Sequence, residues 1–302
     1  MSILVVGSVA FDTVRTPFGQ VEEVLGGSAT YFSAAASFFT DVRLVAVVGE
    51  DFPEHHLAFL RNRKVDLRGL QRVPGKTFRW VGEYGFDLNQ ARTLDTQLNV
   101  FADFAPMIPQ EYRDSNVVFL ANIDPDLQRD VLVQVRRPAL IAADTMNYWI
   151  TNRAESLRKT LALVDALLIN DAETRQLAGE PNLVQAAQKI LALGPKSLVI
   201  KRGEYGALMI SKEGWFAAPA LPLEAVRDPT GAGDCFAGGF VGYLANTMNF
   251  DDASIRKAMV MGSVMASFNV EAFSLDRLRT LTYGEIEARY RAFKKLAHFE
   301  DL

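Results

Sequence analysis

The 302 residues predict one three-layer α/β domain with a mainly parallel sheet, helices on both faces and a small extra β-sheet. Three observations carry this expectation. Short continuous apolar runs (Ile3–Val6, Val42–Val48, Asn116–Ala121, Ala139–Ala143, Ala166–Ile169, Ser197–Ile200) read as strands buried on both faces. Stretches of helical character separate most of them. The strand ends carry polar residues, on the edge where open α/β sheets hold ligands.

Composition sets the bounds. Hydrophobic residues make up 49% and charged residues 23%, enough for a sizeable core. A net charge of −4 lacks the basic surplus of a nucleic-acid binder. The single cysteine, Cys235, excludes an intrachain disulfide framework and fits a reducing cytoplasm. Met1–Gly7 reads as a strand rather than a signal segment, and no apolar run approaches the roughly 20 residues of a membrane span. The expected partner is therefore a small molecule, with neither nucleic acid nor membrane.

From the N-terminus, the first strand ends at Gly7-Ser8, and Asp12 follows just past it. An Asp there either accepts hydrogen bonds from substrate hydroxyls or simply forms a turn. Val14–Leu25 is polar, broken by Pro17 and Gly19, and reads as a hairpin. Gly26-Gly27-Ser28-Ala29-Thr30 then opens a small-residue helix over Tyr31–Phe39, with Ser28 as its cap. After the Val42–Val48 strand, His55 and His56 point about 100° apart on a helix, poor geometry for a shared metal. They are expected at the surface. Thr77–Tyr84 and Ala91–Gln97 read as strands; with the hairpin, residues 13–25 and 76–100 form either a small separate sheet or an edge extension of the main one.

The α/β alternation then resumes, with a helix running from Asn122-Ile123-Asp124-Pro125 to Arg136. Asp144 and Asn147 follow a strand and either line a pocket or build a turn. Asn170 and Glu173 match a capping box and equally a carboxylate holding the waters of Mg²⁺. Lys201 ends another strand before Gly203 and Gly206, where the backbone can track a phosphate chain; the lysine is a phosphate contact or a solvated turn residue. Asp251–Asn269 and Tyr283–His298 read as helices, the first with a methionine stripe that suits a core.

The chain is organised around Asp228-Pro229-Thr230-Gly231-Ala232-Gly233-Asp234, which runs into a helix of small residues. Gly231, Ala232 and Gly233 would present N–H groups at a helix N-terminus, a ready anion site. A carboxylate beside such a site is either a helix cap or a general base that takes a proton from an alcohol while the N–H groups hold a phosphoryl group.

This segment resembles the C-terminal signature of the ribokinase-like (PfkB) family of carbohydrate and nucleoside kinases. The di-glycine turn at Gly26-Gly27, the Gly49-Glu50-Asp51 turn and the Asn-x-x-Glu at 170–173 are similar to other family landmarks, so the resemblance covers most of the chain. It implies ATP-dependent transfer of the γ-phosphoryl to a hydroxyl of a sugar, polyol or nucleoside, with Asp234 as base and Gly231, Ala232 and Gly233 as anion hole. By the same resemblance Asp12, Gly26, Gly27 and Thr30 bind the acceptor, and Asn170, Lys201, Gly203 and Gly206 face ATP. Glu173 holds Mg²⁺ through water, and Asp228 and Thr230 hold a K⁺ ion. The small sheet becomes a lid and homodimer contact, with Phe11, Tyr31 and Trp80 near the acceptor. Two departures stand out: Thr30 where relatives commonly have Asn, and Ala10 where a polar residue is usual. Both argue against ribose or fructose as preferred acceptor. A non-catalytic binding relative would have no need of Asp234.

Overall fold

The computed structural model describes residues 1–298 and 300. In chain order it contains β1 (Ser2–Val6), β2 (Ala10–Thr16), β3 (Gly19–Gly26), α1 (Ser28–Ala36), β4 (Asp41–Gly49), α2 (Glu54–Asn62), β5 (Val65–Val73), β6 (Phe78–Tyr84) and β7 (Ala91–Gln97). There follow β8 (Val117–Leu120), α3 (Pro125–Leu132), β9 (Leu140–Asp144), α4 (Asn147–Asn152), α5 (Ala154–Leu161), β10 (Ala166–Asn170), α6 (Asp171–Ala178) and α7 (Leu183–Leu191). The last elements are β11 (Ser197–Lys201), β12 (Ala207–Ser211), β13 (Trp215–Ala218), α8 (Ala232–Thr247), α9 (Asp252–Asn269), α10 (Asp276–Thr280) and α11 (Tyr283–Leu296).

Two sheets result. The larger has the order β13-β12-β11-β10-β9-β8-β1-β4-β5, and the run from β11 to β5 is parallel throughout. Only β12 and β13 add antiparallel pairings at one edge. The smaller has the order β3-β2-β6-β7, antiparallel except for the parallel β2–β6 pair. Alternation along the central strands builds two cores: Ile3 and Val5 face one layer of helices, Leu4 and Val6 the other. Among the described residues no helix is long and apolar enough to cross a membrane.

Helix α8 runs through the first core between α1 and α9, and its glycines set the spacing. A Cβ at Gly238 would lie 2.5 Å from the Phe32 carbonyl oxygen, and one at Gly239 2.7 Å from that of Met261. Backbone meets backbone here, which is why this helix is poor in large side chains along both contact faces.

Several local expectations need correction. Helix α1 starts at Ser28 and ends at Ala36, about a turn earlier than the apolar pattern indicates, because Thr30 and Tyr31 already donate to the Gly27 carbonyl. Gly27, with φ 96°, is the residue before the helix, and Ser28 caps nothing. Its hydroxyl instead lies 3.1 Å from that of Ser8, pinning the first strand end to the helix start. Helix α3 stops at Leu132 rather than Arg136. His56 is buried, with its ring packed near Phe11 and Phe52. Burial, with His55 and Arg279 nearby, pulls its pKa down to about 4, so it is neutral at pH 7. His55 is exposed as expected.

In an ordinary helix, Gly→Ala gains about 1 kcal/mol. For Gly238→Ala the expected sign is reversed, a loss of about 1–3 kcal/mol from overpacking. Urea unfolding checks this, and an unchanged or higher midpoint contradicts the packing described.

Candidate active site

Asp12 lies in β2, buried, with its carboxylate directly over Gly26; a Cβ there would fall 2.0 Å from Asp12 Oδ2. Gly27 keeps a positive φ that brings its N–H to this carboxylate. Burial raises the Asp12 pKa from 3.8 to about 7, the Gly27 hydrogen bond opposing and the Asp228 charge adding to it. Facing Asp12 is the Tyr31 hydroxyl, which is buried and makes no hydrogen bond. Thr30 does not join this group. It is fully buried, and its hydroxyl is also without a partner. The side chain that meets Asp12 from α1 is thus one residue further along the helix than the sequence indicates.

Across the cleft, Gly231 precedes α8 with φ 75°, a left-handed conformation that favours glycine. Glycine is required for a second reason: a Cβ would enter the Tyr31 ring, 2.3 Å from its nearest atom. The Asp228 carboxylate shapes the turn, its two oxygens accepting from the Thr230 N–H at 2.9 Å and the Ser274 N–H at 3.2 Å. Thr230 Oγ1 donates to the Tyr84 hydroxyl at 3.4 Å, which ties the small sheet to this turn. The Ala232 N–H donates to the Pro229 carbonyl at 3.1 Å, so it is spent inside the turn. By contrast, the N–H groups of Gly233 and Asp234 have no acceptor among the described residues.

Asp234 is the third residue of α8, and its carboxylate makes no capping bond. The helix-cap alternative therefore has no geometric basis. Although part of Asp234 opens to the cleft, desolvation and then the Asp144 charge hold its pKa well above the ordinary range, with Lys201 pulling it back and Asp12 adding to the rise.

Asn170 and Glu173 form the full capping box: Glu173 N–H donates to Asn170 Oδ1 at 2.7 Å, and Asn170 N–H to Glu173 Oε2 at 3.1 Å. Burial and then the Asp144 charge raise the Glu173 pKa to about 7. Lys201 is no solvated turn residue; its ammonium makes a 2.7 Å ion pair with Asp144, itself nearly buried. Of these, Asp144 is the residue that sequence reasoning undervalued, since an Asx after a strand is most often a turn residue. Among the described residues no three His, Cys, Asp or Glu side chains form a metal cage. The free oxygen of Glu173, with Asp144 close by, fits a Mg²⁺ ion that keeps its own waters. Of the two glycines after Lys201, Gly203 lies under Asn89 of the small sheet, whereas Gly206 packs on the Ala218 carbonyl, a contact internal to the fold.

The acceptor-side aromatics divide. Phe11 points to the opposite face of β2 from Asp12, against Phe52 and beneath the Arg79 guanidinium, 5.1 Å from its ring centroid. Trp80 pairs in register with Asp12 and shares its face.

The comparisons agree with this geometry. Residues 2–278 match the pfkB family carbohydrate kinases. The chain is 32% identical over 247 residues to a cytidine kinase of Thermococcus kodakarensis, covering 80% of this chain and 87% of that one. Its fold is similar to a Burkholderia thailandensis nucleoside kinase solved with inosine, at TM-score 0.77 and 20% identity, over 96% and 97% of the two chains. An E. coli protein solved with ATP and Mg²⁺ has TM-score 0.78 at 18% identity, over 96% and 99%. The family match over nearly the whole chain, joined to a cleft built around Asp12, Asp234 and the start of α8, places this protein in the pfkB carbohydrate kinase family, as an ATP-dependent kinase of small molecules.

Proposed function

We propose that the chain phosphorylates a hydroxyl of a nucleoside. The observation that carries the reading is Asp12 and Asp234 facing one cleft, with Trp80 and Tyr84 of the small sheet on the Asp12 side. In this reading ATP supplies the phosphoryl group, and Mg²⁺, held through water near Glu173, neutralises charge on the phosphates. Asp12 and the Gly27 backbone hold two acceptor hydroxyls. Asp234 takes the proton of the attacking hydroxyl, and the N–H groups of Gly233 and Asp234 receive the phosphoryl group. Trp80 gives the base a flat surface, fixed by its Nε1–H bond to Thr93 Oγ1 at 3.1 Å. The relative named cytidine kinase favours a nucleoside over a free sugar, which is the second reading. K⁺ has no part in the proposal, because both Asp228 oxygens are already engaged by N–H groups.

The small sheet acts as a lid that excludes water, the competing acceptor. Its outer strand β7 is exposed along its length, with Leu94 at the surface, which supports the expectation of a homodimer through the lid. The lone buried Cys235 supports a cytoplasmic setting.

A panel of nucleosides, ribose, fructose and other polyols in a coupled ADP assay tests the acceptor. The highest kcat/KM is expected for a nucleoside; a maximum at ribose or fructose would reject this reading. Asp234→Asn should lower kcat at least about 10²-fold while nucleotide binding persists, the scale of a lost general base. Near-normal turnover would return Asp234 to a passive role.

Asp12 gives a pH test. Its carboxyl, raised from 3.8 to about 7, holds a proton in the folded protein that the unfolded chain has already lost. The associated stability is full below pH 3.8 and disappears as pH rises through about 7. Asp12→Asn should therefore lose less melting temperature than wild type between pH 5 and 8, and weaken the acceptor about tenfold or more. An unchanged pH slope with unchanged affinity contradicts the assignment.

A further inference from the structure

Lys201 and Asp144 end β11 and β9, and β10 lies between those strands in the sheet. Two strand spacings are about 9–10 Å. The lysine thus reaches across the end of β10, over the Asn170 that opens α6, to meet its partner at 2.7 Å. Its side chain is 17% exposed and that of Asp144 only 6%. Such a pair costs desolvation at both ends and is weak evidence for stability.

What the pair faces gives it a purpose. Lys201 Nζ lies 3.1 Å from the place a Cβ on Gly233 would take, against the first turn of α8. A helix N-terminus carries partial positive charge, so an ammonium there is unfavourable unless an anion stands between. The unpaired N–H groups of Gly233 and Asp234 open toward the same place. Three sets of donors therefore converge beside the carboxylate of Asp234, and nothing in the fold answers them.

We propose that Lys201 is a catalytic residue that grips the terminal phosphoryl group of the nucleotide, and that Asp144 is the positioning residue that aims it. This rests on the kinase reading above. In the transfer, the acceptor hydroxyl gives its proton to Asp234 as its oxygen forms the new bond to phosphorus. The bond from that phosphorus to the β,γ-bridging oxygen breaks, and its electron pair leaves with ADP. Lys201 holds the equatorial oxygens throughout and transfers no proton. A lysine on four flexible bonds would otherwise swing toward solvent, away from the helix end. Asp144 prevents this from across the sheet.

The test separates the terminal phosphate from the rest of the nucleotide. Calorimetric titration with the imido analogue of ATP and with ADP, each with Mg²⁺, is run on wild type, Lys201→Met and Asp144→Asn. Because Lys201→Met leaves Asp144 buried without a partner, the double variant Lys201→Met with Asp144→Asn is included to remove both charges. Expected for Lys201→Met and for the double variant is about tenfold or weaker binding of the imido analogue, the scale of one charge-assisted contact, with ADP changed less than about twofold. Asp144→Asn should show a smaller loss of the same kind, and Asp144→Glu should restore part of it. Equal weakening of both nucleotides, or a fall in melting temperature with no change in their ratio, would overturn the assignment and leave the pair structural. A wild type that binds neither nucleotide would overturn the kinase reading together with it.

Discussion

The cleft depends on keeping several carboxylates close together with little water. Asp12, Asp144 and Asp228 are buried, and Glu173 and Asp234 are partly so. Only Lys201 brings a full positive charge into their midst. Removing a carboxylate from water disfavours its charged form, so the pKa values of Asp12, Glu173, Asp228 and Asp234 all rise. An isolated polypeptide gains nothing from this arrangement. It is maintained because strand ends and helix starts leave the side chains no other place, and it is relieved by donors: backbone N–H groups at Gly27, Thr230 and Ser274, and one ammonium.

That confinement originates in the backbone. A parallel sheet gathers its strand ends on one edge, so Asn170, Asp144 and Lys201 meet although 57 residues separate the last two. The second contribution is α8. Because glycines at 238 and 239 let it lie backbone to backbone with α1 and α9, its N-terminus reaches the cleft floor, and Gly231 settles on the face of Tyr31. Tyr31 in turn stands over Asp12. Acceptor side and phosphoryl side are thus linked through one aromatic ring, and a bulkier residue at 231 would disturb both.

Much of this was legible in the sequence. The buried strands were visible as continuous apolar runs, and the 228–234 segment carried its chemistry in its spacing. What was not legible depended on orientation. Whether Thr30 or Tyr31 meets Asp12 turns on the phase of a helix whose start is set by Gly27, and a run of small apolar residues does not reveal phase. Phe11 and Asp12 are adjacent, yet the pleat sends them to opposite faces, and local sequence does not say which face is the cleft. His56 shows the same limit: its burial comes from Phe11 and Phe52, neither of them its helical neighbour. Asp144 was visible only as an Asx after a strand. Its importance required knowing that β9 and β11 flank β10.

The capping box at 170–173 shows that structural and chemical roles need not compete. Its bonds use one Glu173 oxygen and the Asn170 side-chain oxygen, and they fix both groups at the end of β10. A carboxylate free to rotate would lose entropy on meeting a hydrated cation; one already locked by its own helix has lost it on folding. The same argument covers Asp228, which is rigid because two N–H groups hold it, and through it the turn that presents Gly233 and Asp234. In each case the helix start is the device that orders the site. The chemistry falls to whichever donors and acceptors the cap leaves unused: the second oxygen of Glu173, the N–H groups of Gly233 and Asp234, and the Asp234 carboxylate.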